Sequence, residues 1–140
     1  MIKSMIVTYD EQYTPGIIRI RNAVFTEEQK IDKDLDFDGQ DKDAFHVLVM
    51  VDDQFVATGR LLDDGHIGRI AVLKKYRCRG IGRKAILSLI EKAKQTGLKR
   101  VYLGAQINAI GFYKKLGFSE YGSRFLDAGI EHVHMEKLIR

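Results

Sequence analysis

A chain of 140 residues, 45% hydrophobic and 30% charged, has room for one domain with a core and not for two. A single cysteine excludes a disulfide framework, no apolar run nears the roughly 18 residues of a membrane span, and Met1–Asp10 lacks the apolar stretch and cleavage site of a secretory signal, so one cytoplasmic domain over residues 1–140 is expected. The net charge of +4 is split, with 7 Lys and Arg against 14 Asp and Glu in residues 1–64 and 16 against 5 in residues 65–140; the acidic half argues against a broad nucleic-acid surface, and the basic half asks for a polyanionic partner.

Ser4–Tyr9 reads as a first strand. Ile17, Ile18, Ile20 and Val24 fall near helical spacing behind Pro15, which suits a first helical turn, and predict a helix over 15–24. Thr26–Asp43 is acidic, with 8 acids and 3 bases over residues 27–43, and is expected to be an exposed loop or short helix. Phe45–Val51 and Gln54–Leu62 are β-rich runs around an Asp52-Asp53 turn. A second turn at Asp64-Gly65 leads into His66–Val72, the third strand of a meander. Ile81, Ala85, Ile86, Leu89, Ile90 and Ala93 form a helical stripe over 81–95, with Gly97 at the C-terminal cap. Arg100–Ala105 reads as a buried strand. Asn108 suits the N-cap of a short helix ending at Gly117, and Phe118–Leu126 and Ile130–Ile139 read as two closing strands. Antiparallel strands followed by a strand–helix–strand crossover give an α/β (α+β) fold: a mixed, mostly antiparallel central sheet of about six to seven strands with helices on both faces.

The chemistry concentrates between residues 70 and 83. Ile70, Ala71 and Val72 end a β-rich run. A basic glycine loop follows, Arg77-Cys78-Arg79-Gly80-Ile81-Gly82-Arg83, and opens the amphipathic helix. Gly80 and Gly82 remove Cβ atoms, so backbone N–H groups can approach a phosphate. Those groups belong to the unsatisfied first turn of a helix, whose dipole also favours an anion. Arg77, Arg79, Arg83 and Lys84 supply cations. A dinucleotide-binding loop of the Gly-x-Gly-x-x-Gly type follows the first strand, whereas several strands precede this one. A phosphate loop of the Lys-Ser/Thr type is missing its hydroxyl, since Arg83-Lys84-Ala85 stands there.

Arg77-x-x-Gly80-x-Gly82, with Val72 five residues before Arg77, resembles the Arg-x-x-Gly-x-Gly signature of the GNAT N-acetyltransferases. The resemblance runs along nearly the whole chain. Asn108–Phe118 resembles the family's helix beside the cofactor, which ends in Leu-Gly-Phe. Phe125–His132 and Val24–Gln29 resemble a bacterial branch, the ElaA-like and YjcF-like proteins. Lys74 stands where many relatives carry Pro, at a strand end where the change should not harm binding.

This resemblance implies a GNAT-type domain that takes acetyl-CoA as co-substrate. It implies that the strands ending at Val72 and near Ala105 splay apart around the pantetheine arm. Ile70, Ala71 and Val72 would contact that arm, a backbone N–H polarising the thioester carbonyl. Arg77, Cys78, Arg79, Gly80, Ile81, Gly82 and Arg83 would hold the pyrophosphate, and Asn108 would cap its helix and contact the cofactor. The acetyl group would pass directly to a primary amine of a small molecule or peptide, with proximity supplying much of the acceleration. Tyr113 occupies the family position of the acid that protonates the leaving thiolate; as residues alone read, it is one more aromatic on a buried helix face. The base stays open among Glu28, His46, His66, His132, His134 and a water chain. Glu28, His46 and His132 are the acceptor-side candidates. His132 and His134 are two apart on a strand and share a face, where they could hold a metal or line the cleft. No metal, membrane or nucleic-acid partner is expected, and a homodimer stays open because many relatives are dimers.

Asp34, Asp36, Asp38 and Gly39 imitate the start of a calcium loop, but Asp41 stands where an apolar residue belongs and Phe45 where Glu belongs. As an alternative, the acidic 27–43 segment would face the acceptor cleft and attract a cationic amine, so that neutralising Asp36 and Asp38 would raise the acceptor KM. Cys78, between two arginines at a helix start, is expected to react faster with thiol reagents in the free protein than with CoA bound. Two rival functions remain at this level: a catalytically idle CoA-binding or sensing domain, and a nucleic-acid module, the latter weakened by the absence of aromatics interleaved with the basic residues.

Overall fold

The structure is a computed structural model and describes residues 1–139. Four strands, β1 (Ile2–Val7), β2 (Phe45–Val51), β3 (Gln54–Leu61) and β4 (Ile67–Val72), form an antiparallel meander in chain order. Three more, β5 (Arg100–Gln106), β6 (Ser119–Asp127) and β7 (Ile130–Leu138), form a second antiparallel sheet with β7 in the middle. Among the described residues the two sheets are bridged at one place. His66, just before β4, pairs in parallel with Tyr102 of β5, and the Tyr102 N–H donates to the Gly65 carbonyl over 3.1 Å. Past that bridge β4 and β5 carry no shared ladder, so the expected splay is present.

Helices cover both faces of the first sheet, and the alternation within β2 shows why. Val47 and Val49 point into one apolar cluster, packed on α3 (Ile81–Gln95); Leu48 points into another, packed on α1 (Thr14–Arg21). The stripe Ile81, Ala85, Ile86, Leu89, Ile90, Ala93 is buried throughout, and each large member contributes roughly 1.5–3 kcal/mol by leaving water. Gly97 (φ 85°) ends α3 in a left-handed turn. The Leu98 and Gly97 N–H groups bond to the Ala93 and Lys94 carbonyls, closing a Schellman motif.

Three expectations need correction. The helix over 15–24 does not stop there: α1 runs into π-helical turns over Asn22–Glu28. The helix near Asn108 is a 3₁₀ turn, Ile107–Ala109, followed by α4 (Ile110–Lys115); Asn108 lies inside the turn, is exposed, and makes no capping bond. The acidic segment is not a solvated loop. It contains a short helix, α2 (Lys33–Asp36), and three of its carboxylates enter a largely buried charge network.

Arg21, fully buried, donates through Nε and Nη2 to Asp36 Oδ1 (3.1 and 3.0 Å) and through Nη1 to Asp41 Oδ1 (2.7 Å), with its guanidinium 4.4 Å from the Phe37 ring centre. Arg60, also buried, donates to both Asp38 oxygens (2.8 and 3.0 Å) and to Asp41 (3.0 Å). Burial lifts the Asp36 carboxyl above its usual range despite Arg21 and Arg69. Burial also opposes the charge of Asp38, but hydrogen bonds from Arg60 and the Gln40 N–H, with the charges of Arg60 and Arg69, outweigh it and hold that carboxyl well below its usual range.

His46 belongs to this buried layer rather than to an acceptor site. Its Nε2 donates to the Asp41 carbonyl over 2.9 Å, and its ring packs near Tyr9. Burial lowers its basicity and that of His66. A histidine held neutral in the fold takes up a proton more readily when unfolded, so its stabilising contribution is present at neutral pH and lost on acidification. The melting temperature is therefore expected to fall as pH drops below about 6.5, the ordinary histidine value. His46→Gln should flatten that slope; an unchanged slope would remove His46 from the explanation.

Candidate active site

The site is built on an irregularity in β4. In its ladder with β3, Thr58 faces Ala71 and Arg60 faces Gly68, so Gly59 opposes two residues and Arg69 and Ile70 have no ladder partner. This is a β-bulge, and Arg69 adopts φ 53°, a left-handed conformation costly for a side-chain-bearing residue. Its guanidinium is tied to the acidic segment: Nε donates to the Asp36 carbonyl (3.0 Å), and Nη2 to the Leu35 carbonyl (3.2 Å) and Asp38 (3.1 Å). The charge network thus holds α2 against the bulge, beside the opening between the sheets.

The glycine loop lies where β4 ends. Cys78 (φ 64°) and Gly80 (φ 78°) both take left-handed conformations, and no side chain caps α3. The first bond within the helix runs from the Lys84 N–H to the Gly80 carbonyl over 3.1 Å. The N–H groups of Ile81, Gly82 and Arg83 are consequently the open donors of the first turn. A Cβ on Gly82 would stand 3.7 Å from both a Val72 methyl and the Phe112 ring, so this turn adjoins β4 on one side and α4 on the other. Arg79 and Arg83 are exposed, with the Arg79 guanidinium 5.5 Å from the Tyr76 ring centre.

Arg77 does not join them as a free cation. Its Nη1 and Nη2 form a fork with Glu28 (2.6 and 2.7 Å), and its Nε donates to the Val72 carbonyl (3.0 Å). The hydrogen bond from Arg77 is the main cause holding the Glu28 carboxyl below its usual range. Glu28 is therefore a clasp on the loop, and it lies outside the lining of the cleft between β4 and the second sheet.

Between β4 and the second sheet lies a cleft of about 450 Å³. Ile67–Ile70 form one wall; Tyr102, Gly104 and Gln106 of β5, His132 and His134 of β7, and Phe125 form the other; α4 contributes Tyr113; Phe25, Gln29, Ile31 and Leu35 cover it from the π-helical and α2 side. The sheet alternates: Val101, Leu103, Ala105, Val133 and Met135 are buried in the core, while the residues between them face the cleft. Gly104 makes room on that face, because a Cβ there would stand 2.9 Å from the Phe125 ring. Phe125 stacks on His134 (ring centres 4.2 Å apart) and on His132 (5.6 Å), and His66 stacks on Tyr102 at 4.8 Å. The Tyr102 hydroxyl donates to Asp64.

Tyr113 touches Phe112 and Phe118 edge-on. Burial pushes its phenol up to about 12, so it stays protonated at neutral pH and can donate. Of the expected residues, Ile70, Tyr113, His66, His132 and His134 line this one cleft; Ala71, Val72 and loop residues 77–83 lie outside its lining, and Gly80 and Arg83 line a separate groove along α3. Asn108, Glu28 and His46 also lie outside the lining of the cleft. Arg69, Tyr102, Gly104 and Phe125 enter the site without having been singled out from sequence; period-two alternation along the last three strands was the signal for all but Arg69.

Residues 9–139 match the acetyltransferase (GNAT) domain family. YjcF of Bacillus subtilis, described as an uncharacterised N-acetyltransferase, is 33% identical over 140 residues, covering 97% of this chain and 99% of its own. ElaA of Escherichia coli is 32% identical over 130 residues, covering 87% and 85%. The crystal structure of E. coli ElaA superposes with a TM-score of 0.87 over 96% of this chain and 99% of that one, at 27% identity. An acyl-CoA N-acyltransferase from Pseudomonas aeruginosa superposes equally well, at 0.87 over 98% and 99% and 26% identity. With the splayed strands, the uncapped glycine turn and the matched length together, the chain belongs to the GNAT acetyltransferase family and is an acyltransferase.

Proposed function

We propose that the chain transfers an acetyl group from acetyl-CoA directly to a primary amine of a small molecule or peptide. The observation that carries this reading is the parting of β4 from β5 beyond the His66–Tyr102 bridge, with an uncapped helix start at one end and a phenol at its side. The diphosphate would rest on the N–H groups of residues 81–83, flanked by Arg79 and Arg83, and the pantetheine arm would follow β4 past Val72 to the bulge. The residues fit such a ligand: the first turn of α3 has no side-chain cap, so its N–H groups are open to an anion, and Arg79 and Arg83 are exposed beside it. An amine in the cleft attacks the acetyl carbonyl, and Tyr113 supplies the proton that the departing sulfur takes up.

Release of CoA thiol, followed with a broad amine panel, tests the reading. Amine-dependent release is expected; CoA binding without release for any amine would favour the sensing domain instead. Cys78 gives an independent footprint. Exposed beside Gly80, it should be alkylated several-fold more slowly with CoA present, and equal rates would detach the loop from the ligand.

A further inference from the structure

We propose that His132 Nε2 is the base that deprotonates the acceptor amine; this rests on the transferase reading above. His132 Nδ1 lies 2.7 Å from the Ile130 carbonyl oxygen. A carbonyl only accepts, so Nδ1 carries the hydrogen and the neutral ring keeps its lone pair on Nε2. Nε2 has no hydrogen-bond partner among the described residues, and the ring lines the cleft. The adjoining Cδ2 edge lies beside Gly104, where a Cβ would stand 3.9 Å off, and the Phe125 ring occupies the space that a side chain there would take. Phe125 stacks on the ring and fixes its plane. A base must be oriented, in one tautomer, and open toward its substrate; His132, only 8% exposed, is oriented by Phe125, held in one tautomer by Ile130, and reaches substrate through its edge on the cleft.

The neighbouring histidines do not. His66 is stacked on Tyr102 at the closed end of the splay, beside the bridge. His134 shares the cleft and the Phe125 ring but has no hydrogen bond to fix its tautomer among the described residues. The other charged or titratable groups around the cleft are Asp36 and Arg69, paired with each other from α2 and β4, Asp127 from β6, and the phenols of Tyr102 and Tyr113.

The step balances as follows. The acceptor ammonium gives one proton to Nε2, from which it passes to solvent. The freed lone pair forms the N–C bond to the acetyl carbon, and the C–S bond breaks with its electron pair on sulfur. The sulfur takes the Tyr113 proton, and the second amine proton restores the phenol through solvent. The products are the amide, the thiol and one released proton.

Two measurements test this. In His132→Gln, kcat/KM at neutral pH should fall about a hundredfold or more, the acidic limb of its pH profile should vanish, and the Kd for acetyl-CoA should stay within about twofold, as expected for a residue that does not hold the cofactor. An O-alkylhydroxylamine, already unprotonated at neutral pH, should close most of the gap. His134→Gln should keep the acidic limb. A limb that survives in His132→Gln, or a deficit equal for both kinds of acceptor, overturns the assignment while leaving the transferase reading intact. A wild type that turns over no amine removes both. Nitrogen-15 spectra of the wild-type imidazoles should show His132 as the Nδ1–H tautomer, and the Nε2–H tautomer would overturn the assignment whatever the kinetics.

Discussion

Arg21→Met should cost about 3–5 kcal/mol of stability, because removing one member of a buried ion network leaves its partners charged and desolvated. Asp36 and Asp41 both lose their closest cation, and the side-chain oxygen Oδ2 of Asp36 is already buried without a partner among the described residues. A domain of this size has roughly 5–15 kcal/mol in total, so the loss should appear as a melting point lower by about 10–20 °C. Arg124→Ala, which breaks an exposed pair with Glu131 at 3.5 Å, should change stability by no more than about 0.5 kcal/mol. A loss below about 1 kcal/mol in Arg21→Met would mean that the network is not held as a buried unit.

Tyr113→Phe should lower kcat about a hundredfold or more while leaving acetyl-CoA affinity nearly unchanged. The substitution removes one oxygen and keeps the ring that packs on Phe112 and Phe118. It therefore separates the two readings of this residue. If Tyr113 were only an aromatic packed on Phe112 and Phe118, phenylalanine would keep full activity. A kcat within about threefold of wild type would dismiss the phenol as the proton donor.

How far the sequence reached depends on the range of each interaction. The glycine loop and α3 were legible because their determinants are local: Gly80, Gly82 and a stripe of apolar residues within one helix. The meander was legible from β-rich runs punctuated by Asp-Asp and Asp-Gly turns. The charge network was not, because its pairs join residues 15 to 33 positions apart, and an acidic run with distant arginines reads as a solvated surface. Asn108 misled for the opposite reason: a good capping residue is a local signal, and the chain placed a 3₁₀ turn there instead. The bulge has Gly68 before it and Gly59 opposite it, but no glycine at the left-handed position itself, which Arg69 takes. Its positive φ is sustained by anchoring to Leu35, Asp36 and Asp38, contacts that exist only in the folded chain.

The role of the acidic segment changes accordingly. In the alternative reading Asp36 and Asp38 draw a cationic amine, but their charges are committed to Arg21, Arg60 and Arg69. What the segment gives the cleft is position: it carries Ile31 and Leu35 over the opening and braces the bulge from outside.

The central claim is that a thioester-bearing diphosphate lies in the gap between β4 and β5 with its charged end on the start of α3. A calorimetric titration of the folded chain with acetyl-CoA tests it most directly. Saturable heat at one site per chain is the result this geometry requires. No heat with acetyl-CoA or CoA, from protein that melts cooperatively and at an unshifted temperature in their presence, would contradict it.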